Sequence, residues 1–319
     1  MILSIIVPVY NLENYIAMTL DSLLAVHIDD GCEIIVINDG STDASEKIIR
    51  SYQEKSSQIV LYTIENQGVS NARNFGLSKA RGKYVTFVDG DDTVEPGFFA
   101  EAIDELEAGG YDFVQGNYKV VEENASWDEQ CINKSEVITG RAVMFEKFFG
   151  EDKIIHNAVW GKVYRLDFIK SVNFDLTLRA SEDQKFIFDL LSNADKIKLL
   201  NIHAINYFQR STSVMHTFDM KKINDMVAVL DYCRDRASSE KIAAYTEREK
   251  QRILLFAYDH LPPEESETKE KVYKELAGFK FKSLKKNQSK KNVIRLWLLK
   301  YMRIVYDAYI KFRHRREHR

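Results

Sequence analysis

An α/β fold is predicted: a mainly parallel sheet flanked by helices, followed by a helical C-terminal region. Three observations predict it. Short apolar, β-branched runs alternate with segments of helical spacing over the first hundred residues. Those runs are apolar throughout, which marks strands covered on both faces and hence a parallel sheet. From residue 219 onward the pattern turns mostly helical and strongly charged.

Residues 3–8 read as the first strand. Residues 14–26 read as a helix, with Ile16, Leu20, Leu23 and Leu24 at helical spacing. Residues 33–38 are the second apolar run and lead into Asp39-Gly40-Ser41-Thr42-Asp43; residues 44–55 are helical again. A strand over 59–64, a helix over 69–79 and a strand over 84–88 follow. Residues 111–117 read as a further strand, and 134–150 and 181–191 as helices. Trp160-Gly161-Lys162 lies between these two, and Leu261-Pro262-Pro263-Glu264-Glu265 reads as a loop. The expected organisation is one domain over 1–217 and a helical, basic region over 218–319.

With 45% hydrophobic and 29% charged residues, the 319-residue chain is not a disordered one. Four prolines and 14 glycines exclude collagen-like and Pro-rich classes. Cys32, Cys131 and Cys233 form no Cys-x-x-Cys pair and fit neither a disulfide framework nor a zinc site, which suits a reducing, cytoplasmic setting. The first ten residues read as a strand rather than a signal peptide. No apolar run reaches the roughly 18 residues that a spanning helix needs.

In parallel sheets ligands bind at the carboxyl ends of the strands. Here those ends carry Tyr10-Asn11, Asn38-Asp39-Gly40-Ser41 and Asp89-Gly90-Asp91-Asp92. Carboxylates at i and i+2 on a turn suit a hard divalent cation shared with phosphate, although an Asp-Gly turn alone is common. Asp39 would accept from a base N–H or a ribose hydroxyl. On its own the segment is also a turn, with Ser41 or Thr42 as N-cap. Ser181-Glu182-Asp183 reads as a helix start, with Ser181 as cap and two acids in the first turn.

Four ordered motifs resemble the family 2 glycosyltransferases of GT-A (Rossmann-like) fold: Pro8-Val9-Tyr10-Asn11, Ile35 through Asp43, Asn66 through Asn74, and Phe87 through Asp92. The resemblance covers roughly residues 1–215. It implies an inverting, non-processive transfer of a hexosyl or N-acetylhexosaminyl group from a UDP-sugar to an acceptor hydroxyl, in cell-surface glycan or glycoprotein assembly. By the same resemblance Pro8, Tyr10 and Asp39 line the base pocket, and Arg73 lies near base and diphosphate. Asp89 and Asp91 form an Asp-x-Asp that holds Mn2+ or Mg2+ on the diphosphate, with Asp92 at the donor-sugar end. Asp183 is the implied base. Trp160 falls on the acceptor side, where a core position is the alternative. Arg210, Ser213 and His216 fall on a lid near diphosphate and metal. Gln209 is followed directly by Arg210, so the Gln-x-x-Arg-Trp motif of processive synthases is absent.

Residues 280–319 hold 14 of the 45 basic and 2 of the 48 acidic residues, a net of +12; the remainder, with 31 and 46, has a net of −15. Within that tail Leu296, Trp297, Leu299, Ile304, Val305, Tyr309 and Phe312 form an apolar stripe among cations. Such a helix suits an anionic membrane surface. Packing on its own domain, or a homo-oligomer contact, would use the same stripe. Nucleic-acid binding would not need it. The expected partners are therefore a nucleotide-sugar donor, a glycan, lipid-linked or protein acceptor, and the inner face of the plasma membrane. A nucleotidyltransferase would show a Gly-rich basic loop near the first strand, and none is there. A catalytically silent sugar-nucleotide-binding scaffold is the remaining alternative, against which the intact Asp89, Asp91 and Asp183 argue.

Overall fold

The computed structural model describes residues 1–28, 31–122, 125–129, 132–150, 153–209, 218–237, 239–262, 265–279 and 290–317. The chain divides into two compact units, Met1–His216 and Thr217–Arg319.

Among the described residues of the first unit one ten-stranded sheet forms. Strands β1 (Leu3–Val9), β2 (Cys32–Asp39), β3 (Ile59–Ile64) and β4 (Tyr84–Phe87) pair parallel in the order β3-β2-β1-β4. Helices α1 (Ile16–Leu24), α2 (Ser45–Gln53) and α3 (Val69–Lys79) connect them. β1 and β2 are buried along their whole length, as their unbroken apolar runs require. The path leaves β1 on one side for β2 and β3, then returns to its other side as β4. The crevice at such a reversal is where parallel sheets bind ligands. Helix α3 packs closely on β1: a Cβ on Gly76 would lie within 2.4 Å of the Ile6 side chain, so only glycine fits.

Beyond β4 the sheet continues with the strand expected over 111–117 and with others that the sequence pattern does not mark. β5 (Thr93–Val94) precedes α4 (Pro96–Gly109), which opens with proline and closes on Gly110 in a left-handed conformation at φ +61°. β6 (Phe113–Glu122) runs parallel to β10 (Lys196–Phe208). β9 (Lys162–Arg165) lies between β4 and β6, antiparallel to both. β7 (Ala125–Glu129) pairs with β6, and β5 and β8 (Glu136–Thr139) with β10, all antiparallel. The helix expected over 134–150 is thus shorter. Pairing with β10 draws residues 136–139 into the sheet, Gly140 breaks the chain at φ +83°, and α5 (Arg141–Phe149) begins after it. Helices α6 (Leu166–Ile169) and α7 (Glu182–Asn193) complete the unit.

The second unit contains α8 (Met220–Ala237), α9 (Glu240–His260), α10 (Ser266–Gly278), α11 (Lys290–Tyr301) and α12 (Arg303–Glu317). Leu254, Leu255, Tyr258, Leu276, Leu299, Tyr306 and Ile310 form its core. Among the described residues no helix is long and apolar enough to cross a membrane.

Candidate functional site

The turns after β1 and β2 are laced together. Asn11 sits at φ +53°, and its amide donates to Ser41 Oγ at 3.1 Å. The Thr42 amide donates to Asn11 Oδ1 at 2.8 Å, and the Glu13 amide to Asp43 Oδ2 at 3.0 Å. Ser41 and Thr42 therefore tie two turns together instead of capping α2, whose N-cap position is Ala44. Pro8 is buried near the end of β1, past the last β1–β4 pair (Ile6 with Phe87), and Tyr10 beyond it is exposed. Asp39 ends the adjacent strand. It is buried, and its two oxygens accept the amides of Gln67 (3.0 Å) and Gly68 (2.9 Å), which fixes the segment before α3. Gly40, at φ +68°, has no room for a Cβ against the Asn66 backbone. Each carboxylate oxygen of Asp39 retains a further lone pair for a ligand.

The acidic centre is organised by Arg73 of α3. Its side chain is 4% exposed. Nη2 donates to Asp89 Oδ1 at 2.9 Å; Nη1 donates to Asp183 Oδ1 at 2.6 Å and contacts Glu182 Oε1 at 3.4 Å. One guanidinium thus joins the loop after β4 to the start of α7, 110 residues further along than Arg73 itself. The guanidinium also lies over the Phe174 ring at 5.4 Å, and Phe174 stacks on Phe186 of α7 at 3.9 Å between centroids. Ser181 at the helix start is left-handed, at φ +61°, and makes no side-chain cap bond. The expected serine cap is not formed. A non-glycine residue in that conformation is strained, of order 1–3 kcal/mol, and such strain gathers where a site requires a particular aim. Here it sets Glu182 and Asp183 on Arg73.

Three carboxylates around one buried cation leave an excess of negative charge. The Asp183 carboxyl is pushed up to about 7: burial raises it most, Arg73 pulls it down, and Glu182 and Asp89 add to the rise. Arg73 is held more firmly protonated: burial opposes its charge, but Asp183, Asp89 and Glu182 together outweigh that. A carboxylate that titrates near neutrality is suited to proton abstraction at physiological pH.

Asp91 is half-buried in the turn after β4. A Cβ on Gly90 before it would lie 2.8 Å from Leu12 and 3.2 Å from the Pro8 carbonyl, so only glycine lets this turn lie so close to the end of β1. Asp92 is 1% exposed, and its Oδ1 accepts the Phe208 amide at 2.9 Å, tying the turn to the end of β10. Among the described residues no three His, Cys, Asp or Glu side chains gather as a metal cluster. Asp89 gives one oxygen to Arg73 and, with Asp91, offers hard oxygen donors. That fits a Mg2+ or Mn2+ ion that takes its other ligands from water and phosphates. Trp160 is 7% exposed, stacked on Tyr207 and edge-on to Tyr118, which leaves little ring face for a sugar. Arg210, Ser213 and His216 lie outside the described residues. The structure adds Glu182 to the site, through its contact with Arg73. The Glu-Asp doublet was visible in sequence, but its common partner was not.

Residues 4–171 match the model of glycosyl transferase family 2, and the chain belongs to that family. It is 33% identical over 203 residues to the uncharacterized glycosyltransferase EpsJ of Bacillus subtilis, covering 63% of this chain and 59% of that protein. It is 31% identical over 231 residues to glycosyltransferase GlyA of Streptococcus pneumoniae, covering 70% of this chain and 33% of that protein. The chain thus spans less than two thirds of either relative. The crystal structure of S. aureus TarS 1–349 in complex with UDP-GlcNAc superimposes with a TM-score of 0.71 at 20% identity, covering 99% of this chain and 92% of that one. That likeness is one of fold, and the fold is GT-A.

Proposed function

We propose that the chain transfers a hexosyl or N-acetylhexosaminyl group from a UDP-sugar to an acceptor hydroxyl, with inversion, adding a single sugar or a few per encounter. The observation that carries this reading is the joining of Asp183 to Asp89 through Arg73, which sets a near-neutral carboxylate beside the expected diphosphate loop. The UDP-GlcNAc bound to TarS supports a UDP donor.

In this reading Pro8 and Tyr10 flank the base, and Asp39 takes its N–H while holding the 66–68 segment. Asp183 takes the acceptor's hydroxyl proton as that oxygen bonds to the anomeric carbon; the bond to the diphosphate breaks on the opposite side, and UDP leaves with the electron pair. Asp91 and Asp89 would hold Mn2+ or Mg2+, which offsets the charge of the leaving diphosphate. The acceptor is a cell-surface glycan intermediate, carried on lipid, polymer or protein, at the inner face of the plasma membrane.

A panel of UDP-sugars assayed for UDP release, with and without manganese, tests the reading. Manganese-dependent release from one donor, rising with acceptor, is the expected result. UDP-sugar binding without any release would favour the silent scaffold. Asp91→Ala is expected to abolish the manganese-supported part of UDP binding, measured calorimetrically; unchanged affinity in manganese would remove Asp91 as a ligand.

A further inference from the structure

The last two helices carry apolar residues on their exposed side as well as on their buried one. Several of their charged side chains are tied to the rest of the second unit: Arg295 pairs with buried Asp259, which also accepts the Tyr306 hydroxyl at 2.7 Å. Arg303 pairs with Glu270 at 2.7 Å, and Lys300 donates to the Phe279 carbonyl at 2.9 Å. Leu296, Leu299, Tyr306 and Ile310 fill the core beneath. Solvent receives further apolar residues. Ile294, Trp297 and Tyr301 are exposed at helical spacing along α11, and Val305, Tyr309 and Phe312 along α12, with Ile304 87% exposed beside them. An ordinary surface helix presents polar residues there. Exposed apolar stripes on two successive helices mark a binding surface.

We infer that this face docks on an anionic lipid surface, lying in the interface without spanning it. Charge selects this occupant. Lys291 is exposed at the start of the face, and the sequence over 311–317 adds Lys311, Arg313, Arg315 and Arg316 against Glu317. Aromatic residues among cations on one helical face suit the boundary between headgroups and acyl chains. A second copy of the chain fits less well, because a two-fold contact through this face would set the same cationic segment against itself. The inference is independent of the transferase reading, since vesicle binding is measured without sugar transfer.

The test is co-sedimentation of the 319-residue chain with vesicles of phosphatidylcholine alone and of phosphatidylcholine with phosphatidylglycerol. Binding is expected only to the anionic vesicles, weakening as salt rises. The exposed-site double variant Trp297→Ser/Phe312→Ser is expected to lose roughly tenfold or more in vesicle affinity with its circular dichroism unchanged. The inference is overturned if the unaltered chain stays in the supernatant with anionic vesicles. It is equally overturned if the variant sediments as well as the parent, or if the variant instead converts a dimer to a monomer in the absence of lipid.

Discussion

Asp183→Asn is expected to reduce sugar transfer by about 10²–10⁴-fold while leaving UDP affinity within a few-fold of the parent. The amide keeps the shape of the carboxyl but cannot accept the hydroxyl proton. The substitution also removes one of three negative charges around Arg73, whose remaining partners are Asp89 at 2.9 Å and Glu182 at 3.4 Å. The fold should therefore hold, and the loss should fall on kcat. Rapid-quench transfer assays beside calorimetric UDP binding separate the two effects. A variant that turns over normally would exclude Asp183 as the base, and one that loses UDP binding equally would give it a donor-binding role.

Arg73→Met has the second large effect expected. The guanidinium is buried and serves Asp89, Asp183 and Glu182 at once. Removing it leaves three neighbouring carboxylates without their shared cation, and removing one partner of a buried ion pair costs about 3–5 kcal/mol. Denaturant unfolding monitored by circular dichroism reads that loss as a lower midpoint. Arg73→Lys is expected to recover part of the stability and little of the activity, because an ammonium is a point charge and cannot reproduce the fork that meets separate carboxylates. Full activity in Arg73→Lys would show that the fork geometry is dispensable.

The strands that carry Pro8 and Asp39, and the one that leads to Asp89, were legible because their runs are apolar without interruption, and the polar residues at or just past the end of each run marked the binding edge. β10 was not legible. It is the longest strand, yet Lys196, Lys198, Asn201 and His203 interrupt its apolar pattern, and its register against β6 shifts between Leu199 and Ile205. The strand is defined by neighbours on both sides rather than by its own periodicity. Residues 136–139 illustrate the same point: β10 turns into sheet what reads locally as helix. The carboxylates of the site were legible as residues, but Arg73's attachment was not. Its partners are 16, 109 and 110 positions away, and no local spacing connects them. Trp160 was ambiguous for a different reason, since a ring that can stack on sugar can equally pack on Tyr207.

The pH dependence of kcat/KM for transfer, measured from about pH 4 to 9 at saturating metal, is the most direct measurement. The base acts as its anion, so activity must fall as pH drops through its pKa. With the half-buried Asp183 pushed up to about 7, the acidic limb is expected near 7, and the residual activity of Asp183→Asn should lack it. An acidic limb near the ordinary aspartate value of about 4, or a limb near 7 that persists in Asp183→Asn, would contradict the assignment of this carboxylate as the base.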